Sequence, residues 1–332
     1  MQWTDLIAPD VPAAIARRLA GDVYTAGNIT VVRRIDRQSA AEQTVIVPVF
    51  NQAGFIGRVL SGIVDNLSQA TDLVVVVDGA TDGSEAAALH FLDTAPLGRL
   101  SAATLLRADR PIFETRCDNI GFALSRGAYV FDVQADIEIR TEAFDRILTA
   151  PMRQRSEIFS VSGRSGGWFG GLVPHRERLR RFPLATVWWK LRKQTIVGCE
   201  EGDRPPIAGS FYTAETVVRG PWALRRSDLI RLGFLDQEHF FLGSDDHDLH
   251  ARGWSLGLTC AYTPVQFAQG QGSTRQPRSG TNAEIYQQLS ARSTENSALN
   301  RFLRSYRPRV PCRKVKPVQP AGHRDGGAAR SL

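Results

Sequence analysis

Residues 44–79, TVIVPVFNQAGFIGRVLSGIVDNLSQATDLVVVVDG, decide the fold class. The segment opens with a short β-branched run and closes with DLVVVVDG, a run apolar enough to be a strand buried on both faces. Between the two runs, Phe55, Val59, Ile63 and Leu67 recur at helical spacing. A strand, a helix and a second buried strand in this order predict a parallel sheet and therefore an α/β fold.

The alternation of strands and helices continues on both sides of this segment. Before it, VPAAIARRLAG and NITVVRRI predict a helix and a strand. After it, we predict a helix at SEAAALHFL, a strand at SAATLLRA, a helix at NIGFALSRG and one long strand at AYVFDVQADIEI, residues 128–139. Functional sites of such sheets lie beyond the carboxyl ends of the strands. After about residue 150 the pattern loosens, and it resumes at GPWALRRSDLIRLGFLD.

Composition indicates a globular protein with a substantial core. The chain has 332 residues, of which 42% are hydrophobic, and its longest aliphatic run, LVVVV at 73–77, is far too short to cross a bilayer. The first residues lack the basic start and apolar core of a signal peptide. The four cysteines form no CxxC pair and lie at positions 117, 199, 260 and 312. We therefore expect a cytoplasmic protein with reduced thiols, and contact with the inner face of a membrane stays open.

Positive charge is concentrated at the end of the chain. The net charge is +7, but residues 301–332 contribute nine Lys or Arg and one Asp, so the rest of the chain is close to neutral. After Tyr306 this tail is rich in Pro, Gly and Arg, a composition that predicts a mostly disordered segment. A near-neutral body argues against a nucleic-acid-binding module that would use the tail, because a nucleic-acid footprint is normally part of the folded surface. LATVWWKL at 184–191 is either a packing helix or a membrane-surface helix.

Polar side chains follow three predicted strands. Residues 48–51, PVFN, follow the first strand and Asp78 ends the second. In the third, strand alternation would place Asp132, Gln134 and Asp136 on one face. We take Asp132 as structural because it lies deeper in the strand. A divalent cation that also binds a pyrophosphate would compensate the negative charge of an acid such as Asp136, since Mg²⁺ and Mn²⁺ prefer oxygen ligands.

A second acidic point lies at residues 241–254, FLGSDDHDLHARGW. Ser244 suits an N-cap, and acids suit the first turn of the helix that would follow. Capping explains one or two acids. The third acid leaves room for chemistry.

Four blocks of the sequence together resemble family 2 glycosyltransferases with the GT-A fold. They are TVIVPVFNQAGFIGRVLSGI, VVVVDGATDGS, RCDNIGFALSRGAYVFDVQADIEI and GPWALRRSDLIRLGFLDQEHFFLGSDDHDLHAR, and they occur in the family's usual order across residues 43–267. The resemblance implies a Rossmann-like, mostly parallel central sheet flanked by helices, with a smaller acceptor-side region. It also implies a nucleotide-sugar donor, a divalent metal (Mn²⁺ or Mg²⁺) and inversion at the anomeric carbon.

The resemblance also assigns roles to individual residues. Asp246 matches the general base, and Asp245 matches the acid before it. Asp136 matches the metal-binding acid of the DxD motif. The nucleotide-sugar-binding positions correspond to Pro48, Val49, Phe50, Asn51, Asp78, Asn119, Gly121, Gln134 and Arg252.

The chain departs from the family pattern at three points. Gln134 stands where the DxD motif has its first acid, Val77 stands before Asp78 where a second Asp is frequent, and Gln269 or Gln271 stands where a His is often found. A catalytically degenerate nucleotide-binding protein therefore remains an alternative. A dehydrogenase is disfavoured, since no GxGxxG follows the first strand.

We expect four regions and one class of reaction. The regions are an N-terminal extension (1–42), a nucleotide-sugar-binding half (43–150), an acceptor-binding and catalytic-base half (151–300) and the basic tail (301–332). The expected reaction transfers a sugar to a hydroxyl of a saccharide or a lipid-linked saccharide, as in polysaccharide or glycolipid biosynthesis. No nucleic-acid partner is expected.

Overall fold

The segment that decides the fold class forms a strand, a helix and a second strand in the computed structural model, which describes residues 1–37, 40–182, 197–198, 211–271, 281–307 and 317–318. Strand β2 (Gln43–Val49) leads into helix α2 (Ile56–Asn66) and then into strand β3 (Thr71–Asp78). The two strands pair in parallel over their full length. The βαβ unit predicted from the sequence is confirmed.

The remaining elements are numbered in chain order. The other strands are β1 (Ile29–Asp36), β4 (Leu100–Ala108), β5 (Tyr129–Asp132), β6 (Ile137–Ile139), β7 (Ile158–Ser162), β8 (Ser165–Gly167), β9 (Val197–Gly198), β10 (Phe211–Ala214), β11 (Thr216–Val218), β12 (Trp222–Arg225), β13 (Thr259–Tyr262), β14 (Phe267–Gln269) and β15 (Pro317–Val318). The other helices are α1 (Ala13–Gly21), α3 (Ser84–Thr94), α4 (Glu114–Leu124), α5 (Phe144–Gln154), α6 (His175–Arg181), α7 (Arg226–Arg231), α8 (Asp245–Ser255), α9 (Thr281–Ser290) and α10 (Ala298–Ser305).

The central sheet is mixed and mostly parallel. Within the described ranges it has ten strands in the order β1-β4-β3-β2-β5-β12-β7-β13-β10-β15. Seven of them run in one direction, and β1, β12 and β10 run in the other. The block β4-β3-β2-β5 is parallel throughout, so the carboxyl ends of these strands meet at one edge. The α/β class with flanking helices is confirmed.

Apolar side chains cover both faces of this sheet, as the continuous run in β3 predicts. Val75 and Val77 belong to the core under α2 and α3, whereas Val74 and Val76 belong to the core on the opposite face, which includes residues of α1, α4 and α8. Successive side chains of a strand point to opposite faces, so one run supplies both layers. Burying each such side chain stabilises the fold by roughly 1.5–3 kcal/mol.

Residues 128–139 form two strands, and the prediction of one long strand is wrong. Strand β5 ends at Asp132, residues 133–136 form a turn, and β6 pairs with β14 in a separate two-stranded sheet. The Val133 amide still donates to the carbonyl of Ile46, and the Ile137 amide donates to that of Gln134 at 2.9 Å, which closes the turn. The turn keeps Gln134 and Asp136 partly exposed, whereas Asp132 is fully buried.

The start of the predicted disordered tail belongs to the folded body. Helix α10 extends to Ser305, and the buried side chains of Leu303 and Tyr306 pack in one cluster with Phe169. The Tyr306 hydroxyl donates to Glu215 at 2.9 Å. The segment 184–191 and most of the tail lie outside the described residues. In the part of the chain that the structure describes, no helix has the length and apolar character needed to span a bilayer.

Candidate functional site

A cleft opens where strands β2 and β3 end, next to the turn that follows β5. Its walls come from the two strand ends, from the start of α4 and from that turn: Pro48, Val49, Phe50, Gln52, Asp78, Glu114, Cys117, Gln134, Ala135 and Asp136. The predicted residues Pro48, Val49, Phe50, Asp78, Gln134 and Asp136 are thus brought together. The volume of the cleft is about 40 Å³. A complete small-molecule pocket measures roughly 300–1,000 Å³, so the cleft can enclose only part of a nucleotide sugar.

Asp78 fixes the loop that enters α4. Its Oδ1 accepts the amide hydrogens of Ile112 and Phe113 at 2.6 and 3.1 Å. Phe113 has a φ of 68°, a left-handed conformation that is strained for an aromatic residue. The Asp78 carboxylate stabilises this conformation, and the helix that carries Glu114 into the cleft begins directly after it.

Two residues predicted to contact the donor make packing contacts in the structure. Asn119 is fully buried. Its side-chain NH₂ group donates to the carbonyl of Leu235 and to the side chain of Gln237, and its Oδ1 accepts the amide hydrogen of Leu235. A Cβ added at Gly121 would lie 2.5 Å from the side chain of Ile46. Asn119 therefore holds α4 against the 235–237 loop, and Gly121 lets the helix approach β2 closely.

Asn51 and Arg252 are also outside the cleft wall. Asn51 accepts a hydrogen bond from the amide of Thr81 at 3.0 Å, which ties the end of β2 to the loop after β3. Arg252 donates to Asp248 at 2.9 Å and to carbonyl oxygens in the 232–234 loop. Arg252 thus joins α8 to the preceding loop, and its contact with the donor stays a prediction.

The turn after β5 offers oxygen atoms to a ligand. Asp136 is partly exposed, and Gln269 donates to its Oδ2 at 3.2 Å. Gln134 gives its amide hydrogen to Glu114 at 2.9 Å. Among the described residues, no group of three His, Cys, Asp or Glu side chains could hold a metal. One carboxylate and an amide oxygen fit an ion such as Mg²⁺, which takes one or two carboxylates and completes its shell with water and phosphate.

Beneath the cleft lies a buried ionic cluster that sequence reasoning missed. Arg219 lies within 4.0 Å of four carboxylates, those of Glu114, Asp118, Asp132 and Asp245. The distances to Glu114 and Asp132 are both 3.5 Å. Within the described part of the chain, both oxygens of Asp132, Oδ1 of Asp118 and Nε of Arg219 have no hydrogen-bond partner.

One guanidinium cannot compensate four buried carboxylates, so the cluster retains protons. Burial raises the pKa of Asp132 to about 7, despite the opposing attraction of Arg219. Burial and then repulsion by Asp132 raise the pKa of Asp118 well above its usual range. Burial likewise raises the pKa of Glu114. Burial alone would lower the pKa of Arg219, but the carboxylates, Asp245 foremost, raise it overall.

The three acids at the start of α8 have three different surroundings. Asp245 is fully buried, accepts from Arg219 and from the Thr115 hydroxyl, and its Oδ1 accepts the Asp246 amide at 3.0 Å. Asp248 accepts the amide of Leu299 at 2.7 Å and thereby holds α10. Within the described residues, the carboxylate of Asp246 accepts a single hydrogen bond, from the amide of His247 at 2.7 Å.

Helix α8 begins without the predicted side-chain cap. Ser244 occupies the cap position, but its φ is 65° and its hydroxyl makes no capping hydrogen bond. Ser244 and His247 both line a second cavity of about 390 Å³. Asp246 directly precedes His247 in α8, and the cavity is large enough for a ligand.

A continuous polar path joins the two predicted catalytic points. It runs from Gln134 to Glu114, then through Arg219 to Asp245, whose Oδ1 accepts the amide of Asp246. The cleft at the strand ends and the start of α8 are therefore braced against each other through buried ionic contacts.

Comparison with known proteins relates this geometry to a family. The model of the family described as "Glycosyl transferase family 2" matches residues 44–211. No sequence of a curated protein matches.

Solved structures with a related fold share little sequence with this chain. GalNAc-T7 with UDP, GalNAc and Mn²⁺ is 13% identical, with a TM-score of 0.49 and coverage of 70% of this chain and 44% of that one. The mannosyltransferase PcManGT from Pyrobaculum calidifontis, in complex with GDP-Man and Mn²⁺, is 15% identical with a TM-score of 0.47, over 91% and 85% of the two chains. Glucosyl-3-phosphoglycerate synthase from Mycobacterium tuberculosis is 17% identical with a TM-score of 0.42, over 70% and 73%. The chain thus spans less than half of GalNAc-T7.

The family match rests on the part of the chain that builds the cleft. Residues 44–211 include the ends of β2 and β3, the helix α4 and the turn that carries Asp136. Because this match covers half of the sequence, the chain belongs to glycosyl transferase family 2 and is a glycosyltransferase.

Proposed function

We propose that the protein transfers a sugar from a nucleoside-diphosphate sugar to an acceptor hydroxyl with inversion, with Asp246 as general base. The observation that carries this proposal is the contact path that links two sites. The cleft formed by Pro48, Asp78 and Asp136 is connected to Asp246 through Glu114, Arg219 and Asp245. Inversion requires an acceptor hydroxyl to attack from the face opposite the leaving diphosphate, so a donor site and a base must face each other.

The cleft is proposed to bind the nucleotide end of the donor. Phe50 offers an aromatic side chain, and Asp78 holds the loop at Phe113, directly before the cleft residue Glu114. Residues 43–150 supply nearly all of this wall and are proposed as the donor-binding half. Residues 151–300 contribute the base and are proposed as the acceptor half.

Asp246 fits the base role better than Asp245. The carboxylate of Asp245 is buried and accepts from Arg219, Thr115 and the amide of Asp246, so no oxygen of it is directed to a substrate. Asp246 accepts one hydrogen bond, from the amide of His247, and His247 lines the 390 Å³ cavity. A general base must come within hydrogen-bond reach of the proton that it removes. An acceptor saccharide in this cavity would bring its hydroxyl to Asp246.

Asp136, with the amide oxygen of Gln134, is proposed to hold a divalent cation together with the donor diphosphate. Bound there, Mn²⁺ or Mg²⁺ would stabilise the negative charge that develops on the leaving group. Glu114 receives the amide hydrogen of Gln134 and so holds that side chain in the cleft. Gln134 brings no charge, so we propose a site that depends on the phosphates for much of its affinity.

The acceptor is proposed to be a saccharide or a lipid-linked saccharide. The segment 184–191, which would carry contact with the inner face of a membrane, lies outside the described residues. Liposome flotation with and without residues 174–193 tests this contact, and equal flotation of the two proteins counts against it.

Thermal-shift measurements with UDP, GDP and dTDP, with and without Mn²⁺, test the proposed donor site. A nucleotide present at ~100 times its Kd stabilises the folded state by ~2.7 kcal/mol, which raises Tm by several degrees. We expect this shift for one nucleotide, in a manner that requires Mn²⁺ and is lost in Asp136→Asn. Asp93→Asn, a change at an exposed acid of α3 that does not line the cleft, serves as the matched control. The absence of a shift with every nucleotide would refute the donor site.

A further inference from the structure

A chain of hydrogen bonds leads from the core of the protein to the cavity beside Asp246. It begins at Trp222, whose indole nitrogen donates to Ser160 Oγ at 2.7 Å. Ser160 Oγ lies 2.8 Å from His250 Nε2, and His250 Nδ1 lies 3.0 Å from Thr216 Oγ1. Thr216 Oγ1 lies 2.7 Å from His247 Nδ1. The chain thus ends at a histidine that lines the 390 Å³ cavity.

The proton positions along this chain follow from its buried end. An indole N–H can only donate, so Ser160 accepts from Trp222 and keeps its own hydrogen for another partner. Cys260 and His250 compete for that hydrogen, and thiol sulfur is a weak acceptor whereas an imidazole nitrogen is a strong one. Ser160 therefore donates to His250 Nε2.

Because His250 is neutral, its one ring hydrogen fixes the donors and acceptors in the rest of the chain. Burial lowers the pKa of His250 well below its usual value, so the ring carries one hydrogen. With Nε2 accepting, that hydrogen is on Nδ1 and is donated to Thr216. Thr216 has one hydroxyl hydrogen and donates it to His247 Nδ1. A neutral His247 then carries its hydrogen on Nε2, the ring nitrogen for which the described residues show no hydrogen-bond partner.

We propose that His247 contacts the acceptor substrate, and that its Nε2–H donates a hydrogen bond to an acceptor oxygen next to the hydroxyl that Asp246 deprotonates. This inference rests on the proposed function and adds a second contact with the acceptor. His247 Nδ1 lies 4.0 Å from Asp246 Oδ1, so the ring and the carboxylate are close enough to contact two oxygens of one saccharide. The ligand class is a saccharide with vicinal oxygens, one attacking and one accepting.

The buried chain fixes the ring and does not conduct protons. Its inner end is the Trp222 N–H, which cannot accept a proton, and His250 is almost fully buried. A proton entering at His247 would find no exit among the groups that form the chain. Thr216 and His250 are therefore positioning residues, whereas His247 itself touches the substrate.

Nitrogen NMR of histidine-labelled protein tests the proton positions without any substrate. We expect His247 with its hydrogen on Nε2 and His250 with its hydrogen on Nδ1 in the wild type, with His247→Gln used to assign the signals. Thr216→Ser keeps the hydroxyl and should leave both tautomers unchanged, whereas Thr216→Val should give a mixture at His247. A wild-type His247 protonated on Nδ1, or a Thr216→Val spectrum identical to the wild type, overturns the inference.

Kinetics test the contact itself, with a panel of UDP-, GDP- and dTDP-sugars as donors and methyl glycosides as acceptors. Removing one neutral hydrogen bond should raise the acceptor KM of His247→Ala about three- to tenfold, while the Tm shift produced by the nucleotide stays unchanged. His90→Ala, at an exposed histidine of α3, should match the wild type. An unchanged acceptor KM in His247→Ala overturns the contact alone. No transfer by the wild type to any acceptor overturns the proposed function, and the acceptor contact with it.

Discussion

Replacing Asp132 by Asn should make the protein more stable at neutral pH than the wild type. Asp132 is fully buried between Arg219 and other carboxylates, and burial raises its pKa to about 7 from the ordinary 3.8. The folded state therefore keeps a proton that the unfolded chain releases. Such a group contributes stability that is fully present below pH 3.8 and is lost as the pH rises through about 7. Asn has a similar shape and never becomes charged.

The magnitude follows from the difference between the two pKa values. Each pH unit between them removes ~1.4 kcal/mol from the wild type's free energy of unfolding, so the whole window removes up to ~4 kcal/mol. The variant lacks this loss. Its stability relative to the wild type should thus improve by up to ~4 kcal/mol from about pH 4 to about pH 8. Loss of the Asp132 charge also eases ionisation of Asp118, which acts in the same direction.

Urea unfolding at several pH values measures this difference. The midpoint concentrations of the two proteins should diverge as the pH rises, with similar slopes m. Asp109→Asn, at an acid whose side chain is 54% exposed, should stay parallel to the wild type throughout. A constant difference between Asp132→Asn and the wild type across the window would show that Asp132 ionises in the folded state as readily as in the unfolded chain.

Three further substitutions test the packing around the site. Arg219→Met leaves four buried carboxylates without their cation, so we expect a loss of 3–5 kcal/mol at neutral pH, in the range of broken buried ion pairs, and partial recovery at acidic pH in urea unfolding. Gly121→Ala should cost about 1–3 kcal/mol by forcing a Cβ against Ile46, yet nucleotide affinity per folded molecule should be unchanged in calorimetric titration. A loss of nucleotide affinity in Gly121→Ala would instead support the predicted contact of this position with the donor. Asp78→Ala should destabilise the protein by roughly 1–3 kcal/mol per lost hydrogen bond and also weaken nucleotide binding, because Asp78 lines the cleft and holds the loop that precedes Glu114. Unchanged nucleotide affinity of Asp78→Ala would show that Asp78 and this loop do not contribute to donor binding.

The sequence predicted the position of the cleft because its signals are local. Runs of β-branched residues and helical spacing define β2, α2 and β3, and the rule that parallel strands end at one edge brings Pro48 next to Asp78. The acidic start of α8 was likewise visible. The different contacts of its three acids could not be predicted, because they depend on partners such as Thr115 and Leu299 that are distant in sequence.

The buried cluster had no sequence signal of its own. Arg219 and Asp118 are 101 positions apart, and each one alone looks like an ordinary surface residue. Asn119 and Gly121 illustrate the opposite problem, since they match a family pattern and also pack α4, Asn119 against the 235–237 loop and Gly121 against β2. A motif shows that a position matters, and only contacts show whether it matters for packing or for binding.

The rate of sugar transfer by Asp246→Asn, measured together with nucleotide binding, tests the central claim most directly. Without a general base at this position, transfer should fall by about a hundredfold or more, while the Tm shift produced by nucleotide and Mn²⁺ stays at the wild-type value. The wild-type product should have the anomeric configuration opposite to that of the donor. Transfer by Asp246→Asn at the wild-type rate, or a product that retains the donor's configuration, would contradict the account.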